Sequence, residues 1–292
     1  MARYYFGDLL REARKELGMT QEELAFGICS TGTISKIENG TSIPRKQKYE
    51  ALLQRIGKSS CIRKLQLSRL EVEQDYALHK IRRWLADNET ERALRLLTQD
   101  FPMEKQTDPL SRQFILSMQA IIHSQSKTPA DEVLEELGQA LSCTGLSIGD
   151  YANLKRFYTF NEMIIINNIA IQHYRKKEYR DTFFLWDMLK VYFEERIVDT
   201  EEKEQFYPMI LHNYALLLHN MGIKENAVLV CDLGIRYCEK HEKLQALPYL
   251  LYCRGESMDE QEEAQPYYNR ADALFEAMPC HFARVMSPLY IL

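Results

Sequence analysis

The chain has 292 residues, 46% of them apolar, and a formal net charge of −5. That length suits two domains of an all-α class, and no apolar run reaches the length a membrane-spanning helix needs. The opening thirty residues are dense in charge (Asp8, Arg11, Glu12, Arg14, Lys15, Glu16), which excludes the apolar core of a secretion signal. The charge is unevenly spread. Residues 1–64 hold 12 Lys/Arg against 7 Asp/Glu, a net of +5, and the rest carries −10. A small basic unit joined to a large acidic one suggests that only the first meets a polyanion. Seven cysteines without a C-x-x-C pair read as the buried or free thiols of a cytoplasmic protein.

In chain order, Phe6, Leu9, Leu10, Ala13 and Leu17 have the three-and-four spacing of an amphipathic helix, which Gly18 ends. Thr20-Gln21-Glu22-Glu23 is a capping box that starts a short second helix through Leu24 and Ala25. Gly27 and Ser30-Thr31-Gly32 break it. A third helix runs from about Thr31 to Asn39-Gly40, a left-handed stop, with Ile34 and Ile37 on the same core as Leu24. Ser42 and Pro44 open a fourth, with Tyr49, Leu52, Leu53 and Ile56 on its apolar stripe.

The string LREARKELGMTQEELA…TISKIENG…P resembles the five-helix helix-turn-helix of the phage-repressor (XRE/Cro) family over about the first sixty residues. The resemblance implies that the third helix lies in the major groove of an operator. Thr31, Gly32 and Lys36 then fall at base-facing positions, with Thr33 beside them. Gln21 opens the second helix towards a phosphate, and Asn39, Arg45 and Lys46 meet the backbone. Gly32 departs from the pattern, because a residue without a side chain reads no base; more is left to Thr33, Lys36 and DNA shape. The turn between the second and third helices is about one residue short of the commonest pattern. The family also implies a partly buried Arg14–Glu38 pair that ties the first helix to the third and touches no DNA.

Gly57-Lys58-Ser59-Ser60 reads as a linker, so we expect a DNA-binding domain at 1–64 and a helical domain at 65–292. Breaks at 101–111, 124–130, 142–150, 197–203, 221–224 and 256–260 divide the second part into ten or eleven helices, a helical-hairpin array. Thr128-Pro129-Ala130-Asp131 is one of the helix starts. Asn168-Ile169-Ala170 recurs 45 residues on as Asn213-Tyr214-Ala215, and the same offset takes Thr182 to Ala227. Small residues twelve apart resemble the tetratricopeptide hairpin, with an irregular helical domain as the alternative; Ala93 and Ala264 suit the second small position of further units. In that register a concave groove is lined by Asn167, Asn168, Ile171, Tyr174 and Arg175, then by His212, Asn213, Leu216, His219 and Asn220. Asparagine amides both donate to and accept from an extended peptide, and Arg175 suits a carboxylate. The plainer alternative is that these asparagines satisfy neighbouring groups.

The remaining constellations point away from catalysis. His212 with His219, and Cys238 with His241, each supply half a metal site without a second pair. There is no phosphate-cradling glycine loop, H-E-x-x-H or nucleophile elbow, so neither cofactor nor enzyme activity is expected. The aromatics from Tyr151 to Phe160, with Phe183, Phe184, Trp186, Tyr192 and Phe193, read as inter-helix core. As a whole the architecture resembles the peptide-pheromone-responsive regulators of Gram-positive bacteria, the Rgg/PlcR/PrgX group. That likeness implies a homodimer, a short signalling peptide as effector, and a peptide-controlled change in how two DNA-binding heads sit. The alternative is a repeat scaffold docking a protein partner, with the head as a DNA tether.

Overall fold

The computed structural model describes residues 6–58, 80–81, 83–85, 89–102, 108–126, 128–147, 158–195 and 200–277. All the regular elements among them are helices, and none is long and apolar enough to cross a membrane. The chain divides into two compact units, Met1–Ile165 and Ile166–Leu292. The expected boundary at 64/65, residues Ser59-Ser60 of the linker, a fifth helix of the head and the aromatics Tyr151–Phe157 lie outside the described residues.

The first unit opens with α1 (Phe6–Glu16), α2 (Gln21–Ala25), α3 (Thr31–Glu38) and α4 (Lys46–Arg55). Thr20 and Glu23 form the reciprocal capping box at the start of α2, at 3.1 and 2.6 Å. Ser30 caps α3 by accepting the Thr33 amide. Leu10, Leu24, Ile34, Ile37, Leu52 and Leu53 are 0–1% exposed and make one core, as the apolar spacing predicts. Two expectations shift. Leu17 lies past the end of α1 and is exposed, and α4 starts at Lys46 rather than at Ser42 or Pro44. Proline biases its predecessor towards extended backbone; here Arg45 is extended too (ψ 160°), so the helix begins two residues after the ring.

Next come α5 (Thr90–Asp100), α6 (Pro109–Gln125), α7 (Ala130–Ser142) and α8 (Phe160–Arg175). Asp108 caps α6 through the Ser111 amide with Pro109 in the first turn, the arrangement that a missing N–H favours. Leu110 of α6 completes the head's apolar core.

The second unit continues through α9 (Tyr179–Glu195), α10 (Thr200–Asn220), α11 (Lys224–Lys240), α12 (Leu247–Glu256) and α13 (Gln261–Ala277). The 45-residue period holds in the backbone. Lys177 donates to the Tyr174 carbonyl as Gly222 does to that of His219, and Glu178 to His173 as Ile223 does to Leu218, all at 2.9 Å. Both turns use a left-handed residue, Lys177 (φ 63°) and Gly222 (φ 77°). The small residues Ala170, Thr182, Ala215 and Ala227 are all 0% exposed, as close helix approach requires. Trp186, Tyr192 and Phe193 are core, whereas Phe183 and Phe184 are exposed on α9, Phe183 lying against the Tyr214 ring at 5.4 Å.

Candidate DNA-binding surface and ligand groove

α3 is two-faced. Ile34, Ile37 and Glu38 are buried, while Thr31, Gly32 and Lys36 are exposed on the opposite side and Thr33 is partly exposed. The buried side is held by unusually close packing: a Cβ on Gly7 of α1 would stand 2.0 Å from the Ile37 carbonyl oxygen. Arg14 clamps Glu38 through two hydrogen bonds of 2.6 and 3.0 Å and donates a third to the Met19 carbonyl, so the pair implied by the family resemblance is present. Gln21 donates an amide hydrogen to Glu38 at 2.8 Å. Burial alone would raise the Glu38 carboxyl; the hydrogen bonds from Arg14 and Gln21 and the charges of Arg14 and Arg11 outweigh it and hold its pKa below the ordinary value.

Arg11, which the sequence reading passed over, donates to the Glu38 carbonyl at 2.5 Å and to the Asn39 side-chain oxygen at 2.6 Å. It therefore orients Asn39 at the C-terminus of α3. Its position on an otherwise ordinary charged helix face gave no signal of this. Arg45 is exposed ahead of α4, and Lys46 is partly exposed 3.9 Å from Glu50. The eight residues thus fall around one outward helix and its flanks, with exposed cations at Lys36 and Arg45.

The ten groove candidates divide by depth. Asn167, Asn168, Ile171, His212 and Asn213 are 0–2% exposed and Leu216 is 9% exposed; Tyr174 and His219 are partly exposed, and Arg175 and Asn220 exposed. The Asn167 side-chain oxygen Oδ1 accepts from Trp186 Nε1 at 3.0 Å and from Asn213 Nδ2 at 3.1 Å. Asn220 Nδ2 donates to the Tyr174 hydroxyl at 2.8 Å. These two rungs join α8 to α10, seven residues apart along each helix and both at a sequence separation of 46. The cross-helix partner of Asn213 is thus Asn167, one residue from its sequence equivalent Asn168. His212 is held neutral, burial lowering its pKa to about 4 against a hydrogen bond with Asn213. Arg175 has exposed surface, and partial desolvation lowers the pKa of its guanidinium. At the surface, His173 and Lys176 both pair with Glu178, at 2.6 and 2.8 Å.

Residues 10–62 match the Helix-turn-helix family. No curated protein matches the sequence. The fold is similar to that of Bacillus thuringiensis PlcR in complex with the peptide PapR7 and DNA, with a TM-score of 0.63 at 16% identity, over 93% of this chain and 94% of that one. It is also similar to ComR from S. thermophilus in complex with DNA and its signalling peptide ComS, with a TM-score of 0.51 at 14% identity, over 93% of each chain.

Proposed function

We propose that the chain is a DNA-binding transcription regulator of the cytoplasm, whose α3 enters the major groove and whose repeat helices bind a short signalling peptide. The observation that carries this is the division of α3 into a sealed face and an outward face bearing Thr31, Gly32 and Lys36. Thr31, Thr33 and Lys36 then address base edges, and Gln21, Asn39, Arg45 and Lys46 address phosphates. The peptide reading is supported by the helical array and by the rim of Tyr174, Arg175, His219 and Asn220 above the Asn167–Asn213 rung. In this reading the deep asparagines set the spacing of α8 and α10 and the rim meets the ligand, so peptide binding shifts the arrangement of two heads in a homodimer. A ligand does so only through its different affinity for the two arrangements.

Duplexes enriched from a random library provide the DNA probe. Lys36→Ala and Arg45→Ala are expected to weaken binding to the enriched duplex, and wild-type affinity in both variants rejects the placement of α3. For the groove, Tyr174→Ala and Arg175→Ala should lower affinity for whichever member of a random heptapeptide library the wild-type protein retains. Undiminished affinity in both removes the rim from the site.

A further inference from the structure

The head carries a buried cation whose charge partner lies outside its own helices. Arg55, the last residue of α4, is 1% exposed, and its guanidinium Nη2 lies 3.4 Å from both carboxylate oxygens of Glu162, which is 0% exposed in the first turn of α8. Glu162 also accepts the Thr159 amide at 2.7 Å and the Thr144 hydroxyl at 2.8 Å. The Thr144 hydroxyl in turn accepts from Gln113 Nε2, Gln113 Oε1 accepts from Asn161 Nδ2, and Asn161 Oδ1 accepts from the Ser117 hydroxyl. Five buried or part-buried polar side chains of α6, α8 and the turn after α7 thus form one chain of hydrogen bonds that ends, through Glu162, on an arginine of the head. The seam around them is tight: a Cβ on Gly27 would stand 2.2 Å from the Thr144 carbonyl, the Phe160 amide donates to Gln54 at 2.9 Å, and the Ser111 hydroxyl donates to Gln47 at 2.6 Å.

A buried ion pair is an inefficient source of stability, since apolar residues of the same volume do as well or better. The Arg55 Nε–H even lacks an acceptor among the described residues. What such a network does supply is one defined geometry, because any other leaves charges stranded. α4 runs about 14 Å from Lys46 to Arg55, linking the proposed phosphate contacts at one end to this network at the other. We infer that Glu162 is a positioning residue for DNA binding: through Arg55 it seats the helix-turn-helix head on α6–α8, so that α3 is presented in one fixed direction. This rests on the regulator reading for its purpose, but the seat itself is tested independently.

The experiment is hydrogen exchange on the full chain with Arg55→Met, Glu162→Gln and the double variant, each first shown folded by circular dichroism. The Phe160 amide, bonded across the seam, and the amides of Gly27–Ser30 should exchange about tenfold faster in either single variant. Those of α1–α3 and of the α10–α11 hairpin should keep their rates, and the double variant should recover part of the loss. An unchanged seam overturns the seat. Equal acceleration throughout α1–α3 also overturns it, because Arg55 would then only support the head's interior. Library selection supplies the functional arm: the wild type should enrich paired half-sites of one separation, and Glu162→Gln the same half-site over a spread of separations. Identical separation in the variant overturns the positioning role. A wild type that enriches nothing overturns the regulator reading instead, and the exchange data still decide the seat.

Discussion

At the scale of single residues, the decisive contacts join groups far apart in sequence. Glu38 is satisfied by Arg14 and Gln21 inside the head, and Arg14→Ala should cost about 2–3 kcal/mol by removing two hydrogen bonds to its carboxylate while Gln21 and Arg11 stay beside it, read from urea unfolding. Because folding lowers the Glu38 pKa, its contribution is complete above the unfolded value of 4.5 and is lost as pH falls through the lower folded value. His212 acts over a higher window. Folded it titrates near 4, unfolded near 6.5, so only the unfolded chain takes up a proton between them and stability falls as pH drops from 6.5 to 4. His212→Gln should remove on the order of 3 kcal/mol of that decline, measured as stability against pH; an unchanged profile places the acid sensitivity elsewhere. The Arg14–Glu38 pair was legible because a family pattern fixes both positions. Glu162 was less so. Its Thr159-x-x-Glu162 box is written in the sequence, but a capping box says nothing of an arginine 107 residues away.

At the scale of elements, the ends of helices decide how well sequence and structure agree. α2 and α3 begin where their caps predict because the capping side chains bond within three residues. α4 does not, since Pro44 is compatible both with a first helical turn and with the extended run that precedes one. The turn between α8 and α9 contains neither Gly nor Pro. It is made by Lys177 in the left-handed region, and its equivalent in the next hairpin is Gly222. Gly222→Ala should cost about 1 kcal/mol through the strain a Cβ meets there, although nothing lies within 4 Å of the added atom. Gly7→Ala tests a different cause, collision: the Ile37 carbonyl must retreat, α1 and α3 separate, and the head should lose about 1–3 kcal/mol. Thermal melts of the two variants read both costs.

At the scale of the whole molecule, the charge asymmetry and the 45-residue period were readable because each is distributed along the sequence. The depth of the residues expected to line a groove was not. Asn167 and Asn213 occupy the faces the repeat register assigns, but whether a side chain there meets a ligand or a neighbouring helix depends on how closely α8 and α10 approach, and they approach to hydrogen-bonding distance. Affinity for the enriched duplex is expected to fall with salt at a slope of about 0.9 per phosphate contacted. Arg45→Ala should then flatten that slope by about 1, measured by fluorescence anisotropy across a salt series. A pair of heads related by two-fold symmetry requires half-sites separated by a helical turn of DNA, about 34 Å, or a multiple of it. Footprinting of the enriched duplex checks that separation.

Gly32 leaves a vacancy at the tip of α3, where a Cβ would meet only the Ser30 hydroxyl, at 4.0 Å. Its backbone is helical, so almost any side chain can be installed there without disturbing the scaffold. Gly32→Ala should even firm up the helix by about 0.5–1 kcal/mol. Under the proposed placement of α3, glutamine or arginine at the same place would add a side chain able to reach a base edge, which makes this position the natural starting point for changing sequence preference.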